Sequence, residues 1–538
     1  MKLKLYIAAL CFLGLLLINN HLWGLTETSE ARYAEISKEM FENNTLAHPT
    51  LLGIYHYHKP PFTYQITTIG YQLFGVNEFG ARFFLQISFL IQIILVYLIA
   101  FRLFPIKKTA LIAALLYASS PIAIMASKNL TTDSYLTTWV LLSIYSWLQA
   151  KSKHPYYTFL FYGAIAMGFL TKGPLVLLPV LLFIGSWKLI KKEKPTFNGY
   201  HIIGLLIFFG LTSIWYVKII MENPKILDYF IKDQLVQRVV SKNAFNRGKP
   251  FWFYLVLMPL VALPWLPFIG YLTGKKFKAS IAKRNEKSIL IIATLAIILL
   301  FSIFKTKLIF YILPCFPLLA ILGASIFTEA TDKQLEVFNK VSIIYGSLIG
   351  VAFIVLPFFP SLISIPLWVP IIYLVVFGIS IYFSKTKELV YRGVLTTLGI
   401  AITLLIIAPS VLSKNEETSN SMKPIANFIN SIDKGHQLYI FNDLLPSLQF
   451  YTNQKIVTLN NGHNLTQREV QFQKDETYKT HLFDLTLQED IDRLKTNYSN
   501  TKRIIVVKTK RGIPEELSFL TENLPYKKTF KKWTVYYE

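Results

Sequence analysis

The sequence predicts a multi-spanning α-helical membrane protein with a small α/β domain at its C-terminal end, outside the cytoplasm. Three observations lead there. Of 538 residues, 53% are hydrophobic and 16% charged, and the mean hydropathy is +0.43, too apolar for a soluble globule. Apolar runs of roughly 20 residues, each able to cross about 30 Å of hydrocarbon, recur about thirteen times before residue 412. Beyond 412 the pattern changes to short β-branched and aromatic runs between polar turns. Cys11 and Cys315 both lie in apolar runs, which leaves no zinc-ligand spacing, no CxxC pair and no disulfide framework. The net charge of +24 does not mark a nucleic-acid partner, because most basic residues punctuate hydrophobic stretches instead of forming one solvated face.

The predicted spans have cores at 4–19, 81–104, 109–127, 133–149, 156–171, 174–190, 201–221, 251–272, 288–304, 307–327, 340–360, 362–384 and 391–412. The first begins with Lys2 and Lys4 as a signal peptide would, but no small-residue cleavage site follows, so it reads as a retained anchor. With the N-terminus in the cytoplasm and the spans alternating, the basic loops fall on one side. These hold Lys107 and Lys108, Lys151 and Lys153, Lys191 to Lys194, Lys275 to Lys287, and Lys385 to Arg392. Three polar segments then lie outside: 20–80, 222–250 and everything after 412. The expected division is 1–412, a membrane domain with outer loops 20–80 and 222–250, and 413–538, an α/β domain. That tail holds 18 basic and 15 acidic residues, so nearly all the net charge belongs to the membrane part. Strands are expected at Gln437–Phe441, Lys455–Leu459 and Arg503–Lys508, and helices at Ser421–Ile432 and Glu489–Asn497.

The first outer loop carries the densest chemistry. Thr28 or Ser29 can cap a helix whose one face holds Tyr33, Ile36, Met40 and Phe41 and whose other face holds Arg32, Glu35, Lys38 and Glu39. Such a helix is expected to lie along the membrane surface, with Glu27 and Glu30 near its first turn. An acidic first turn also serves the helix dipole, so the carboxylates gain functional meaning only with partners. In Tyr55-His56-Tyr57-His58-Lys59-Pro60-Pro61, the two prolines hold the backbone extended and fix where Lys59 points, as a point charge suited to phosphate. His56 and His58 alone make an incomplete metal site, so no metal ligands are assigned.

Further charged groups fall at the outer ends of spans: Asp133, Lys172, Lys305 and Lys307 near Tyr311, and Arg238 and Arg247 in the second outer loop. Ionisable groups at membrane depth are costly and mark function by default. Carboxylates and cations converging on one face suit a reaction between an acceptor hydroxyl and a lipid-linked phosphosugar. A carboxylate takes the proton, and cations neutralise the leaving phosphate. No Gly-rich nucleotide cradle follows a strand, which argues against a soluble nucleotide-sugar donor.

Ser29-Glu30-Ala31-Arg32-Tyr33-Ala34-Glu35-Ile36, Lys59-Pro60-Pro61, Thr132-Asp133, Thr171-Lys172-Gly173-Pro174, Pro250 to Tyr254 and Lys307 to Pro314 occur in an order that resembles the C-type membrane glycosyltransferases using polyprenyl-phosphate sugars. The branch they look most like contains the protein O-mannosyltransferases and the lipid A aminoarabinose transferases. The resemblance covers about residues 1–320. It implies the C-type fold in a bacterial inner membrane and an inverting transfer at the periplasmic face from an undecaprenyl-phosphate-linked sugar. The acceptor would be a hydroxyl or phosphate on lipid A, another glycolipid or a protein. On this basis Glu30 is the first choice for the base and Glu27 the second. Asp133 matches a further acidic position; Arg32, Tyr33, Lys59, Lys172, Arg247, Lys305, Lys307 and Tyr311 are expected to bind substrate. Two residues depart from the family pattern. Ser29 stands where an aspartate is usual, and His58 stands where the aminoarabinose branch commonly has a glutamate similar to a metal-binding position. No cofactor is fixed, and a divalent metal is left open. A transporter or lipid flippase, or a silent homologue, are the competing readings; the chain shows no matching halves of the kind transporters often carry.

Overall fold

The computed structural model describes all residues except Met1, Lys153, 233–247, Lys276, 433–434, 463–465 and 499–501. The chain divides into two compact units. One comprises 1–20, 82–218 and 227–411; the other comprises 21–81, 219–226 and 412–538. Residues 21–81, most of the first loop, thus pack in one unit with the C-terminal residues.

Helices occupy all or part of every stretch expected to span. They are Lys2–Leu17, Glu78–Leu103, Lys107–Ala118 with Pro121–Ser127, Thr132–Ser152, Tyr157–Lys172, Leu177–Lys191, Gly199–Glu222, Phe253–Leu260 with Trp265–Lys275, Glu286–Ile303, Cys315–Phe327, Asp332–Val355, Trp368–Lys385 and Leu389–Lys414. Among the described residues, seven helices are long and apolar enough to cross a membrane, with Tyr157–Lys191 taken as one, or nine if each bent pair counts as one span. The shortfall from about thirteen has physical causes. Lys2–Leu17 and Cys315–Phe327 have only 16 and 13 residues. Thr132–Ser152 is long enough, but it buries Asp133, Ser134, Thr137, Thr138, Ser143 and Ser146, which lowers its apolarity. The two bent pairs turn by 61° and 118°; Pro121 and Pro264 stand at the breaks, where a missing N–H ends the helical ladder.

Polar groups inside the first unit are satisfied between helices. Gln92 Nε2 donates to Ser134 O at 2.8 Å and Thr138 Oγ1 at 3.0 Å, while Tyr117 OH donates to Gln92 Oε1 at 2.5 Å. Such bonds hold apolar helices together where lipid supplies no hydrophobic drive. Lys128 donates to Leu16 O and to Asn20 Oδ1 at 2.6 Å, and Arg82 donates to Asn20 O at 3.0 Å. Two cations thereby close the carbonyl end of the first helix, which explains both without a ligand.

The loops that the charge pattern groups on one side are joined by ion pairs. Lys108 meets Glu388 at 2.5 Å and Lys191 meets Glu286 at 2.8 Å; Lys151 pairs with Glu193, and Lys287 with Glu329. Arg284 donates to the carbonyls of Leu189 and Ile190 at 3.1 and 3.2 Å. The charged partners lie in or beside loops that span alternation puts on the same face, and Leu189 and Ile190 lie in the last turn of the helix next to one of them.

In the second unit a short antiparallel pair, β1 (Thr50–Leu51) and β2 (Ile54–Tyr55), lies between helices Ser29–Glu42 and Phe62–Phe74. A six-stranded sheet follows: β3 (Gln437–Phe441), β4 (Ile456–Asn460), β5 (Leu482–Asp484), β6 (Arg503–Lys508), β7 (Tyr526–Thr529) and β8 (Trp533–Tyr537), in the order β5-β4-β3-β6-β8-β7. β5, β4, β3 and β6 run parallel, and β8 and β7 add antiparallel. The central strands are buried on both faces, as their continuous apolar runs require. Leu438, Ile440, Ile504 and Val506 pack on one side with helix Lys423–Ser431, and Tyr439, Phe441, Ile505 and Val507 on the other with Leu494 of helix Gln488–Tyr498.

Candidate active site

In the second unit the expected first-loop helix runs from Ser29 to Glu42. Thr28 takes the capping position without a side-chain hydrogen bond, so the cap expected from Thr28 or Ser29 does not form. The turn is closed from the other direction. Glu30 Oε2 accepts from Thr26 N at 3.0 Å and Thr26 Oγ1 at 3.1 Å, which satisfies a backbone donor ahead of the helix. Glu30 is only 1% exposed. Three residues earlier, Glu27 Oε1 accepts from Ser447 N at 2.8 Å and Ser447 Oγ at 2.6 Å. Burial pushes the Glu27 carboxyl up to about 7, against the lowering effect of Ser447 and Arg32.

The helix does not lie on a surface, as its amphipathic pattern suggested. Its apolar residues Ile36 and Met40 pack with Leu51, Leu52, Tyr64 and partly buried Tyr33, but Glu35, Lys38 and Glu39 are buried too. The reason is helix Pro446–Thr452, which is too short to leave a periodic signal in the sequence. Its Gln449 Nε2 donates to Glu35 Oε1 at 2.7 Å and Glu39 Oε1 at 2.9 Å. Lys38 Nζ sits 5.6 Å from the centre of the Phe450 ring. Glu39 also accepts from Thr50 Oγ1 and from Gly53 N at 3.3 Å.

Burial, then the neighbouring charge of Glu39, pushes Glu35 up to about 8; burial likewise raises Glu39. A carboxyl that ionises later folded than unfolded binds an extra proton in the folded state between the two values. Its stabilisation is therefore complete below about 4.5 and is lost as pH rises toward 8. The melting temperature is expected to fall between pH 5 and 8, and Glu35→Gln is expected to flatten that slope in a thermal-shift series.

Farther along the loop, the His56 and His58 rings lie 3.8 Å apart, and both are buried. Burial and the charges of Arg32, Arg468 and Lys59 hold both imidazoles well below the usual histidine range, so they are neutral. Lys59 is half-buried beside them. Arg468, from helix Thr466–Val470, is a contributor that nothing in the sequence pattern marked. Among the described residues no three His, Cys, Asp or Glu side chains gather as a metal site.

The first unit holds the other candidates. Lys172 Nζ donates to Asp133 Oδ1 at 2.5 Å, both side chains are nearly inaccessible, and the ammonium stands 4.3 Å from the centre of the Tyr311 ring. These three residues, 39 to 178 positions apart in sequence, form one cluster in which Asp133 and Lys172 are buried and Tyr311 is half-buried. Gly173, with φ +68°, ends the helix that carries Lys172 and allows the chain to leave it there. Lys305 and Lys307 line an open cleft of about 480 Å³ with Lys249, Pro250 and Phe251. Lys305 is exposed, whereas Lys307 is buried, its ammonium donating to Lys249 O at 3.1 Å and Phe304 O at 2.5 Å. Lys307 thus ties the end of the second outer loop to the 303–309 turn, and Lys249 N donates to Lys305 O at 3.2 Å beside it. Arg238 and Arg247 lie outside the described residues.

Residues 58–231 match the family model of dolichyl-phosphate-mannose-protein mannosyltransferases. The chain is 32% identical over 355 residues to an undecaprenyl phosphate-α-4-amino-4-deoxy-L-arabinose arabinosyl transferase of Yersinia enterocolitica, covering 64% of this chain and 63% of that one. To the same-named protein of Erwinia tasmaniensis it is 33% identical over 316 residues, covering 57% and 56%. The match thus spans somewhat less than two thirds of these relatives' length. Crystal structures of ArnT from Cupriavidus metallidurans, apo and bound to undecaprenyl phosphate, superpose with a TM-score of 0.78 at 22% and 21% identity. They cover 99% of this chain and 97% of theirs. The chain shares the fold of these two structures.

Proposed function

We propose that the protein is an inverting glycosyltransferase that moves a sugar from an undecaprenyl- or other polyprenyl-phosphate carrier to a hydroxyl or phosphate acceptor at the periplasmic face of a bacterial inner membrane. The observation that carries this reading is the shared fold, over nearly the whole chain, with a protein that binds undecaprenyl phosphate. Acceptors of the lipid A, glycolipid and protein classes fit the reading. The N-terminus would be cytoplasmic and about thirteen helical segments would cross or enter the bilayer, with residues 413–538 periplasmic. The ion pairs among the basic loops support that alternation.

In this mechanism Glu30 accepts the acceptor hydroxyl's proton as its oxygen bonds to the anomeric carbon. The bond from that carbon to the phosphate oxygen breaks on the opposite face, and polyprenyl phosphate departs with the electron pair. Lys59 and Arg32, beside two neutral imidazoles, supply positive charge for the phosphate, as do Lys305 and Arg247 from the second loop and its neighbour. Lys307 acts by fixing that turn. Asp133, held by Lys172 over Tyr311, orients sugar or acceptor, and Tyr33 lines the site. A divalent metal fits poorly at His56 and His58, because the charges facing them are Arg32, Arg468 and Lys59; no step is assigned to one. Mass spectrometry of glycolipids and glycoproteins from cells with and without the protein tests the reading. One class is expected to lose the mass of a single sugar residue, and unchanged profiles in every class would reject it.

A further inference from the structure

Four carboxylates of residues 21–81 are gripped by one seven-residue helix more than 360 positions away in sequence. Ser447 holds Glu27, Gln449 bridges Glu35 and Glu39, and Tyr451 OH donates to Glu78 Oε1 at 3.0 Å while accepting from Leu25 N at 2.6 Å. Lys423 adds a contact to Glu78 at 2.7 Å. Isolated acidic residues at a helix start need no such partners, and a loop serving only as a tether would not bury them. The grip begins at the turn that presents Glu30: Glu27 is fixed by Ser447, Asn420 Nδ2 reaches Glu27 O at 3.4 Å, and Glu30 closes back on Thr26.

We propose that Ser447 is a positioning residue for the transfer reaction, clamping Glu27 so that the 26–30 turn holds the base Glu30 in its reactive place; this rests on the transferase reading above. The groups facing the Glu27 carboxylate are Ser447 on its own helix, Asp443 in the turn after β3, and Arg32 on the first-loop helix. Glu27 Oε2 has no hydrogen-bond partner among the described residues and is closed to solvent. The Ser447 hydroxyl and amide are therefore the direct handles on this side chain. The hydroxyl donates to the ionised form and favours it, so its removal raises the midpoint at which Glu27 ionises.

The test uses full-length protein reconstituted in vesicles of bacterial polar lipid, with undecaprenyl-phosphate-linked sugar as donor. Ser447→Ala is expected to lower kcat about tenfold with KM changed less than about twofold. It is also expected to raise the Glu27 titration midpoint by roughly one pH unit, read as the carboxylate infrared difference between each protein and its Glu27→Gln counterpart. Ser447→Thr, which keeps the hydroxyl, should restore both. A lowered kcat with an unmoved midpoint, or a shifted midpoint with unchanged kcat, overturns the proposal. A parent that transfers no sugar removes the transferase reading and the clamp's catalytic role together, whereas an active parent with an unmoved titration removes the clamp alone.

Discussion

Glu30→Gln is expected to reduce sugar transfer by about a thousandfold, within the range that loss of a general base produces, while expression and melting stay at parental values. The amide retains an oxygen where Thr26 N and Oγ1 donate at 3.0 and 3.1 Å, so the turn remains closed. What it loses is the ability to take a proton. Glu27→Gln is expected to cost only about tenfold, because that carboxylate already accepts two hydrogen bonds from Ser447 and acts on the turn. Equal losses in the two variants would mean that the division of roles is wrong. Ser29 stands where the resembled family usually has an aspartate, so Ser29→Asp adds a second carboxylate at this turn. A gain in turnover there, over an inactive parent, would favour a silent homologue.

The second large effect concerns the buried pair in the first unit. Asp133→Ala or Lys172→Ala is expected to destabilise the protein by about 3–5 kcal/mol, the usual result of leaving one charge buried without its partner. The 2.5 Å contact and the near-complete burial of both side chains place the pair in that regime. Replacing both at once, Asp133→Leu with Lys172→Met, is expected to recover most of the melting temperature without recovering transfer. Detergent-solubilised protein followed by thermal melting, beside the same variants in the transfer assay, separates the two contributions. A double variant that regained activity would make the pair purely structural.

Much of the fold could be read from local pattern. A run of apolar residues needs no distant partner to be recognised, and so each expected span contains helix, although among the described residues only seven to nine are long and apolar enough to cross a membrane. Alternation of spans groups the loops of Lys108 and Lys191 on one face, and in the structure Lys108 pairs with Glu388 and Lys191 with Glu286. Legibility failed where long-range packing decides. The polar face of the first-loop helix resembled a solvated face because Gln449 and Phe450, which cover it, lie more than 400 residues later. Helix Pro446–Thr452 itself has seven residues, too few for a periodic signal. The helices broken at Pro121 and Pro264 look continuous in the sequence because composition, not direction, defines an apolar run.

At the candidate site, residue types were visible and their pairings were not. Asp133 and Lys172 are separate candidates in the sequence and one ion pair in the structure. Lys307 is expected from the sequence to bind substrate, yet its ammonium is committed to two backbone carbonyls that no local pattern marks. Arg468 carries no sequence signal, because it sits in a polar stretch with no motif around it.

The most direct test reconstitutes the purified chain in sealed vesicles with an undecaprenyl-phosphate-linked radiolabelled sugar and an outer-membrane lipid acceptor extract. Label should move covalently onto the acceptor, with inversion at the anomeric carbon, and should stop in the Glu30→Gln variant. Label carried across the vesicle membrane with no new glycosidic bond would contradict the account and identify a carrier of lipid-linked sugars.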